Sequence, residues 1–196
     1  MLKFTMTNRQ SLRSSSFDYS SNGWYFVTVC TDQKKCLFGN IRNDTVELNE
    51  AGMIVSEEWH RTAQIRKNVQ LDSYVVMPNH FHGIIGIQNE EAEPIDATSR
   101  TLESGSLGAI IGQFKSIVTK RISRGRPTGS PLRVWQRNYY ERVIRSEKAF
   151  NVIRLYIETN PMLWNDGDES AEKMSQEFSG DDLDLIKQYV DYRKNR

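Results

Sequence analysis

The chain has 196 residues, is 38% hydrophobic and 26% charged, and carries a formal net charge of +1. That length suits one domain with extensions, and the near-average composition excludes a disordered chain or a fibre. The longest apolar runs, residues 74–77 and 84–87, are far too short to cross a bilayer, and the opening residues lack the apolar core of a secretory signal. Two cysteines, Cys30 and Cys36, make no disulfide framework and no repeated metal-ligand spacing. A reduced, cytoplasmic protein without a membrane partner is expected.

In chain order, residues 1–22 are rich in Ser, Arg and Asn and read as an extended arm. Residues 24–31 (WYFVTVCT) are aromatic and β-branched, the signature of a buried strand. Asn49 is placed to cap a helix that carries Ile54, Val55, Trp59 and Thr62 on one side and ends near Lys67. Leu71–Met77 and His80–Ile87 form two strands around the turn signal Pro78-Asn79, hence an antiparallel hairpin. Residues 89–105 are polar and interrupted by Pro94, a mobile loop between elements.

Ser106 then caps a helix with Leu107, Ile110, Ile111, Phe114, Ile117 and Val118 at helical spacing. After a Gly/Pro/Ser linker, residues 134–145 (VWQRNYYERVIR) read as a fourth strand. Ser146 caps a helix from Glu147 to about Thr159, stopped by Asn160-Pro161. The acidic stretch 163–196 is an extension with a surface helix at Leu183–Tyr192. No fixed-period repeat is present, which excludes a solenoid. The order of elements predicts an α+β fold, a ferredoxin-like split βαβ sandwich over residues 23–162. Its antiparallel sheet would carry helices on one face, plus a C-terminal helix bearing a tyrosine.

Three features carry chemistry. His80-Phe81-His82 lies on a predicted strand, where alternation puts both imidazoles on one face about 7 Å apart, able to converge on a cation or a phosphate. Structural, hydrogen-bonded histidines are the plainer alternative. On the last helix, Tyr156 and Asn160 stand one turn apart on one face, flanking the apolar stripe Phe150, Ile153 and Ile157. That pair reads either as a nucleophile beside a metal ligand or as a half-buried Tyr with a helix-capping Asn. Finally, nine basic residues stand between Lys115 and Arg145 with Glu141 as the one acid among them. They form either a solvated face or a strip that neutralises phosphates.

Together, a histidine pair on a strand, a basic segment and a helix with Tyr-x-x-x-Asn resemble the HUH single-tyrosine transposases. Within them the chain is most similar to the REP-associated tyrosine transposases, relatives of the IS200-like enzymes. The matching text is YFVTVCT (25–31), VVMPNHFHGIIGI (75–87), LGAIIGQFKS (107–116), VWQRNYYERVIR (134–145) and YIETNP (156–161). The resemblance implies that His80 and His82 hold a divalent metal, Mg²⁺ or Mn²⁺, with Asn160 as third ligand. It makes Tyr156 the nucleophile that cuts single-stranded DNA beside hairpins and leaves a 5′-phosphotyrosine.

On that reading Lys115, Lys120, Arg121, Arg124, Arg126, Arg133, Arg137 and Arg142 contact DNA. Monomers are expected rather than dimers. Two rivals stay open, a catalytically silent nucleic-acid-binding module and a metal-dependent phosphodiesterase in which Tyr156 is structural. Tyr139 and Tyr140 read as packing or base-stacking residues, His60 as a surface histidine, and Trp135 and Trp164 as packing residues.

Overall fold

Two runs of alternating residues pair at the centre of the fold. Strand β1, Gly23–Cys30, runs antiparallel to β5, His80–Ile87, in the register Phe26↔Ile84, Thr28↔His82 and Cys30↔His80. A computed structural model describes residues 22–89, 105–124 and 132–164. Most of the predicted arm, the 89–105 loop, Arg126 and the extension beyond residue 164 with its 183–192 helix lie outside the described residues. Among the described residues no helix is long and apolar enough to cross a membrane.

The remaining elements follow in chain order. A 3-10 turn occupies Asp32–Lys34, and a small hairpin joins β2, Gly39–Arg42, to β3, Thr45–Leu48. Helix α1 spans Glu50–Gln64, strand β4 Val69–Met77, helix α2 Leu107–Ile122, strand β6 Tyr140–Ile144 and helix α3 Glu147–Thr159. The main sheet is ordered β4-β5-β1-β6 with every neighbouring pair antiparallel. With the β2–β3 hairpin set aside, this is the split βαβ arrangement expected from the order of elements.

Capping residues set the helix starts. Asn49 accepts from Gly52 N at 3.0 Å, Ser106 from Ala109 N at 3.3 Å, and Ser146 from Ala149 N at 3.1 Å. Each satisfies a donor that the first turn leaves open, a contribution of about 1 kcal/mol. The structure differs from expectation in several places, and β4 begins at Val69, two residues before the expected start. Helix α1 stops at Gln64, not near Lys67. The fourth strand covers only Tyr140–Ile144, because the preceding segment leaves the ladder after a single bridge between Thr31 and Trp135. The β2–β3 hairpin was not anticipated; its turn residues Asn43 and Asp44 both have positive φ, 49° and 58°, as a two-residue hairpin turn of the primed kind demands.

Alternation gives the sheet two different faces. Tyr25, Val27, Val29, Phe81 and Ile85 pack against α1 and α2, with the Trp59 ring 4.7 Å from Phe81 and 5.5 Å from Phe114. Phe26, Ile84 and Ile144 pack on the opposite side against Val152, Ile153, Tyr156 and Ile157 of α3. The tyrosine helix thus covers the face that α1 and α2 leave open. Phe81, between the two histidines, is buried in the first core, as strand alternation requires.

Gly83, next to the histidine pair in sequence, does not open an approach to it. It lies under Trp59 on the opposite face, and a Cβ there would sit 2.7 Å from the indole and 2.9 Å from the Phe81 ring. Gly83→Ala should therefore overpack the first core and destabilise the fold by about 1–3 kcal/mol. Urea denaturation checks this: a lower midpoint with an unchanged slope is expected.

Candidate active site

The site forms where the hairpin end of β5 meets the C-terminal half of α3. His80 and His82 are 4% and 3% exposed, Tyr156 2% and Asn160 0%, so each of the four polar side chains is buried. The histidine ring centroids lie 4.6 Å apart. The Tyr156 hydroxyl stands 3.4 Å from His82 Nε2. This contact joins residues 74 positions apart in the chain. Tyr156 does not flank the apolar stripe but sits inside the second core, edge-on to Phe26 at 6.1 Å.

Each imidazole is held at its other nitrogen. Thr28, opposite His82 in the β1–β5 ladder, places its hydroxyl 2.8 Å from Nδ1, and Phe26 stacks on the same ring at 5.3 Å. Asn79 in the hairpin turn places Oδ1 2.7 Å from His80 Nδ1. In both rings the contact at Nδ1 directs Nε2 elsewhere, and in His82 that atom faces Tyr156. Neither Thr28 nor Asn79 was singled out for this role from the sequence. Thr28 is the one hydroxyl on the α3 side of an otherwise apolar strand, a signal that becomes readable only once the register is known.

Asn160 follows α3 and stands one turn beyond Tyr156. Among the described residues, neither its Oδ1 nor its Nδ2 has a hydrogen-bond partner, although both atoms are buried. The turn after it sets Trp164 nearly parallel to the His80 ring, 6.1 Å away. No group of three or more His, Cys, Asp or Glu side chains is placed to hold a metal among the described residues. What the fold brings together is two imidazoles and a phenol, with a buried carboxamide one turn after the phenol. Mixed imidazole and oxygen donors suit a divalent ion such as Mn²⁺, and an unsatisfied buried carbonyl oxygen is the kind of atom such an ion takes up.

The basic run is divided over both faces of the sheet. Lys115, Lys120, Arg121 and Arg124 lie on or just after α2, behind the sheet as seen from the histidines. Arg121 bridges to α1, with 2.6 Å to Glu57 and 2.7 Å to Glu58. Lys115 donates to the carbonyls of Gln136 and Arg137 at 2.7 and 2.9 Å and so pins the segment that leads to β6. Lys120, Arg124, Arg133 and Arg137 are exposed. Arg142 stands opposite Phe26 in the ladder, which puts it on the histidine side.

Tyr140 shares a cross-strand row with Thr28 and His82, whereas Tyr139 packs with the first core. His60 is exposed, its Nε2 2.9 Å from the Tyr74 hydroxyl. Cys30 is half-buried, Cys36 exposed, and Trp135 buried against Phe38.

With this geometry in hand, comparison with known proteins is informative. No family model matches the chain. An uncharacterized protein of Haemophilus influenzae is 39% identical over 165 residues, covering 80% of this chain and 90% of its own length. The two belong to one family. A solved REP-associated tyrosine transposase bound to a REP hairpin matches 76% of this chain and 73% of its own, with TM-score 0.53 and 18% identity. The chain therefore shares the fold of that solved transposase. A candidate transposase from Deinococcus radiodurans, at 16% identity, covers 76% of this chain and 96% of its own with TM-score 0.42, too distant to argue from. Within the tyrosine transposase fold of this chain, the histidines lie on a central strand and Tyr156 on the last described helix.

Two measurements probe these assignments. Asn160→Leu replaces an unsatisfied buried amide by an apolar group of similar size, so the metal-free protein should melt at an equal or higher temperature. For Lys115, burial is the main cause that pushes the ammonium from 10.5 down to about 8. A lysine whose folded pKa is depressed binds fewer protons folded than unfolded between those values, so its contribution to stability rises as pH climbs from about 8 towards 10.5. Denaturation of wild type and Lys115→Met across that interval should show a rise that the variant lacks.

Proposed function

We propose that this protein is a metal-dependent, single-strand DNA transposase of the HUH type, acting in the cytoplasm with Tyr156 as nucleophile. The observation that carries the proposal is the Tyr156 hydroxyl 3.4 Å from His82 Nε2, beside the His80 ring that stands 4.6 Å from His82. His80, His82 and Asn160 would hold a divalent cation, Mg²⁺ or Mn²⁺. The bound ion would supply Lewis-acid polarisation of the scissile phosphate. Asn160 supports this role because its buried carboxamide costs the metal-free fold roughly 1–3 kcal/mol for want of a partner.

The phenol oxygen attacks phosphorus, and the bond from phosphorus to the 3′ oxygen breaks. The phenol loses its proton and the departing 3′ oxygen gains one, leaving a 5′-phosphotyrosine and a 3′-hydroxyl. The phosphodiester is conserved as a tyrosyl ester, so rejoining needs no external energy source. The substrate class is single-stranded DNA beside a hairpin, in keeping with the hairpin held by the similar solved transposase. Arg142 on the histidine face and the exposed Arg133 and Arg137 are the basic groups best placed to meet its backbone. The working unit in this proposal is a monomer.

Incubation with single strands labelled at the 3′ end and Mn²⁺ tests the proposal. An SDS-resistant labelled adduct is expected in wild type, Tyr139→Phe and Tyr140→Phe, and none in Tyr156→Phe or in His80→Ala/His82→Ala. Tyr156→Phe removes one weak contact and should cost at most about 1 kcal/mol of stability. Hydrolysis without an adduct would point to a phosphodiesterase, and binding without cleavage to a silent module; either result overturns the proposal.

A further inference from the structure

The hairpin turn between β4 and β5 does more than reverse the chain. Asn79 Nδ2 donates to the Lys34 carbonyl at 3.3 Å, and Asn79 Oδ1 stands 2.7 Å from His80 Nδ1. The first contact fixes the second. A carbonyl only accepts, so it must face the NH₂ end of the amide, which leaves Oδ1 for the histidine. Oδ1 carries no hydrogen, so the hydrogen bond requires the proton on His80 Nδ1. In the neutral ring Nε2 then holds the lone pair. An imidazole without a partner prefers the opposite arrangement, with its proton on Nε2, where it would block an incoming ligand.

The backbone around the Lys34 carbonyl is built for this grip. Gln33 and Lys34 both have φ of 54°, in the left-handed region that non-glycine residues seldom enter. The other two described non-glycine residues with positive φ, Asn43 and Asp44, close a hairpin turn and belong to residue types that tolerate it. Gln33 and Lys34 have no such excuse, and their strain coincides with the contact to Asn79. Asn79 is also anchored from behind: its carbonyl accepts from Thr31 N and from Thr31 Oγ1, each at 2.9 Å.

We infer that Asn79, oriented by the Lys34 carbonyl, is a positioning residue that keeps the His80 proton on Nδ1 and presents Nε2 as the electron-pair donor. The ligand half of this inference rests on the reading of His80 given above; the proton-placing half does not. Second contacts of this kind commonly alter metal affinity by about 10–100-fold.

The test uses the full-length, metal-free chain labelled with ¹⁵N-histidine, observed well above the pH range where imidazole protonates. Long-range ¹H–¹⁵N spectra should show His80 with its proton on Nδ1 in wild type. In Asn79→Ala the proton should move to Nε2. In Asn79→Asp it should stay on Nδ1, since a carboxylate still accepts, although the Lys34 contact is lost. Mn²⁺ titration followed by EPR should show affinity falling about 10–100-fold in Asn79→Ala and largely recovering in Asn79→Asp. A wild-type His80 protonated on Nε2 overturns the inference without recourse to any variant, as does an Asn79→Ala protein that keeps the proton on Nδ1. Wild-type protein with the expected proton shift but no Mn²⁺ binding overturns the metal reading and leaves the proton-placing role of Asn79 standing.

Discussion

The register of β1 against β5 is the constraint on which the rest of the structure depends. It aligns Tyr25, Val27 and Val29 with Ile85, Gly83 and Phe81 on the α1/α2 side, and Phe26 and Thr28 with Ile84 and His82 on the other. A slip of one residue would exchange the two faces entirely, burying both histidines under Trp59 and turning Phe81 towards α3. The first core therefore does two jobs. It stabilises the fold through the Trp59, Phe81 and Phe114 cluster, and it locks the polar row in place behind it.

The seating of α3 is the second determinant, because it sets where the phenol lies along the sheet. Apolar contacts with Phe26 and Ile84 hold the helix down but leave it free to slide. A directional tie removes that freedom. Arg154 donates from Nε and Nη2 to the two oxygens of Asp72, each at 2.6 Å, while its guanidinium carbon stands 4.4 Å over the Phe150 ring. Such two-point contacts fix geometry as well as adding energy. The hydrogen bond from Arg154 holds the Asp72 carboxyl below the usual carboxylate range. Asp72 lies at the register shift of β4 between Leu71 and Tyr74, and such irregularities re-aim a side chain that regular pleating would send elsewhere. Arg154 precedes Tyr156 by two residues, so the same tie that stops sliding sets the height of the phenol.

Much of this could be read in the sequence, and what could not has a common cause. Asn49, Ser106 and Ser146 announce helix starts through a local mechanism, and all three cap as expected. Alternation along His80-Phe81-His82 correctly separates two buried polar side chains from a core phenylalanine. Relations between distant segments are where local reasoning ended. Thr28 meets His82 across 54 positions, and Arg154 meets Asp72 across 82. The basic run looked continuous only because sequence distance ignores that α2 covers one face of the sheet while Arg142 of β6 belongs to the other. Lys115 and Arg121 show the consequence, since both hold the protein's own elements together. The β2–β3 hairpin is a different case: Asn43-Asp44 between short alternating runs was a usable local signal.

Several departures from local rules cluster in one part of this chain. The left-handed Gln33 and Lys34, the unsatisfied Asn160 amide and the buried histidine pair all gather around the hairpin end of β5 and the end of α3. Elsewhere the three helix caps are satisfied and the hairpin turn carries residues suited to it, although the first core also buries the indole nitrogens of Trp59 and Trp135 without a hydrogen-bond partner among the described residues. A fold selected for stability alone would fill the Asn160 position with an aliphatic side chain and relax the 32–34 turn. Local strain and an unspent carboxamide persist where the surrounding structure over-determines them. Here the surroundings are the locked β1–β5 register on one side and the anchored α3 on the other. The polar groups on the histidine side are thus held between the first core behind the sheet and the second core under α3.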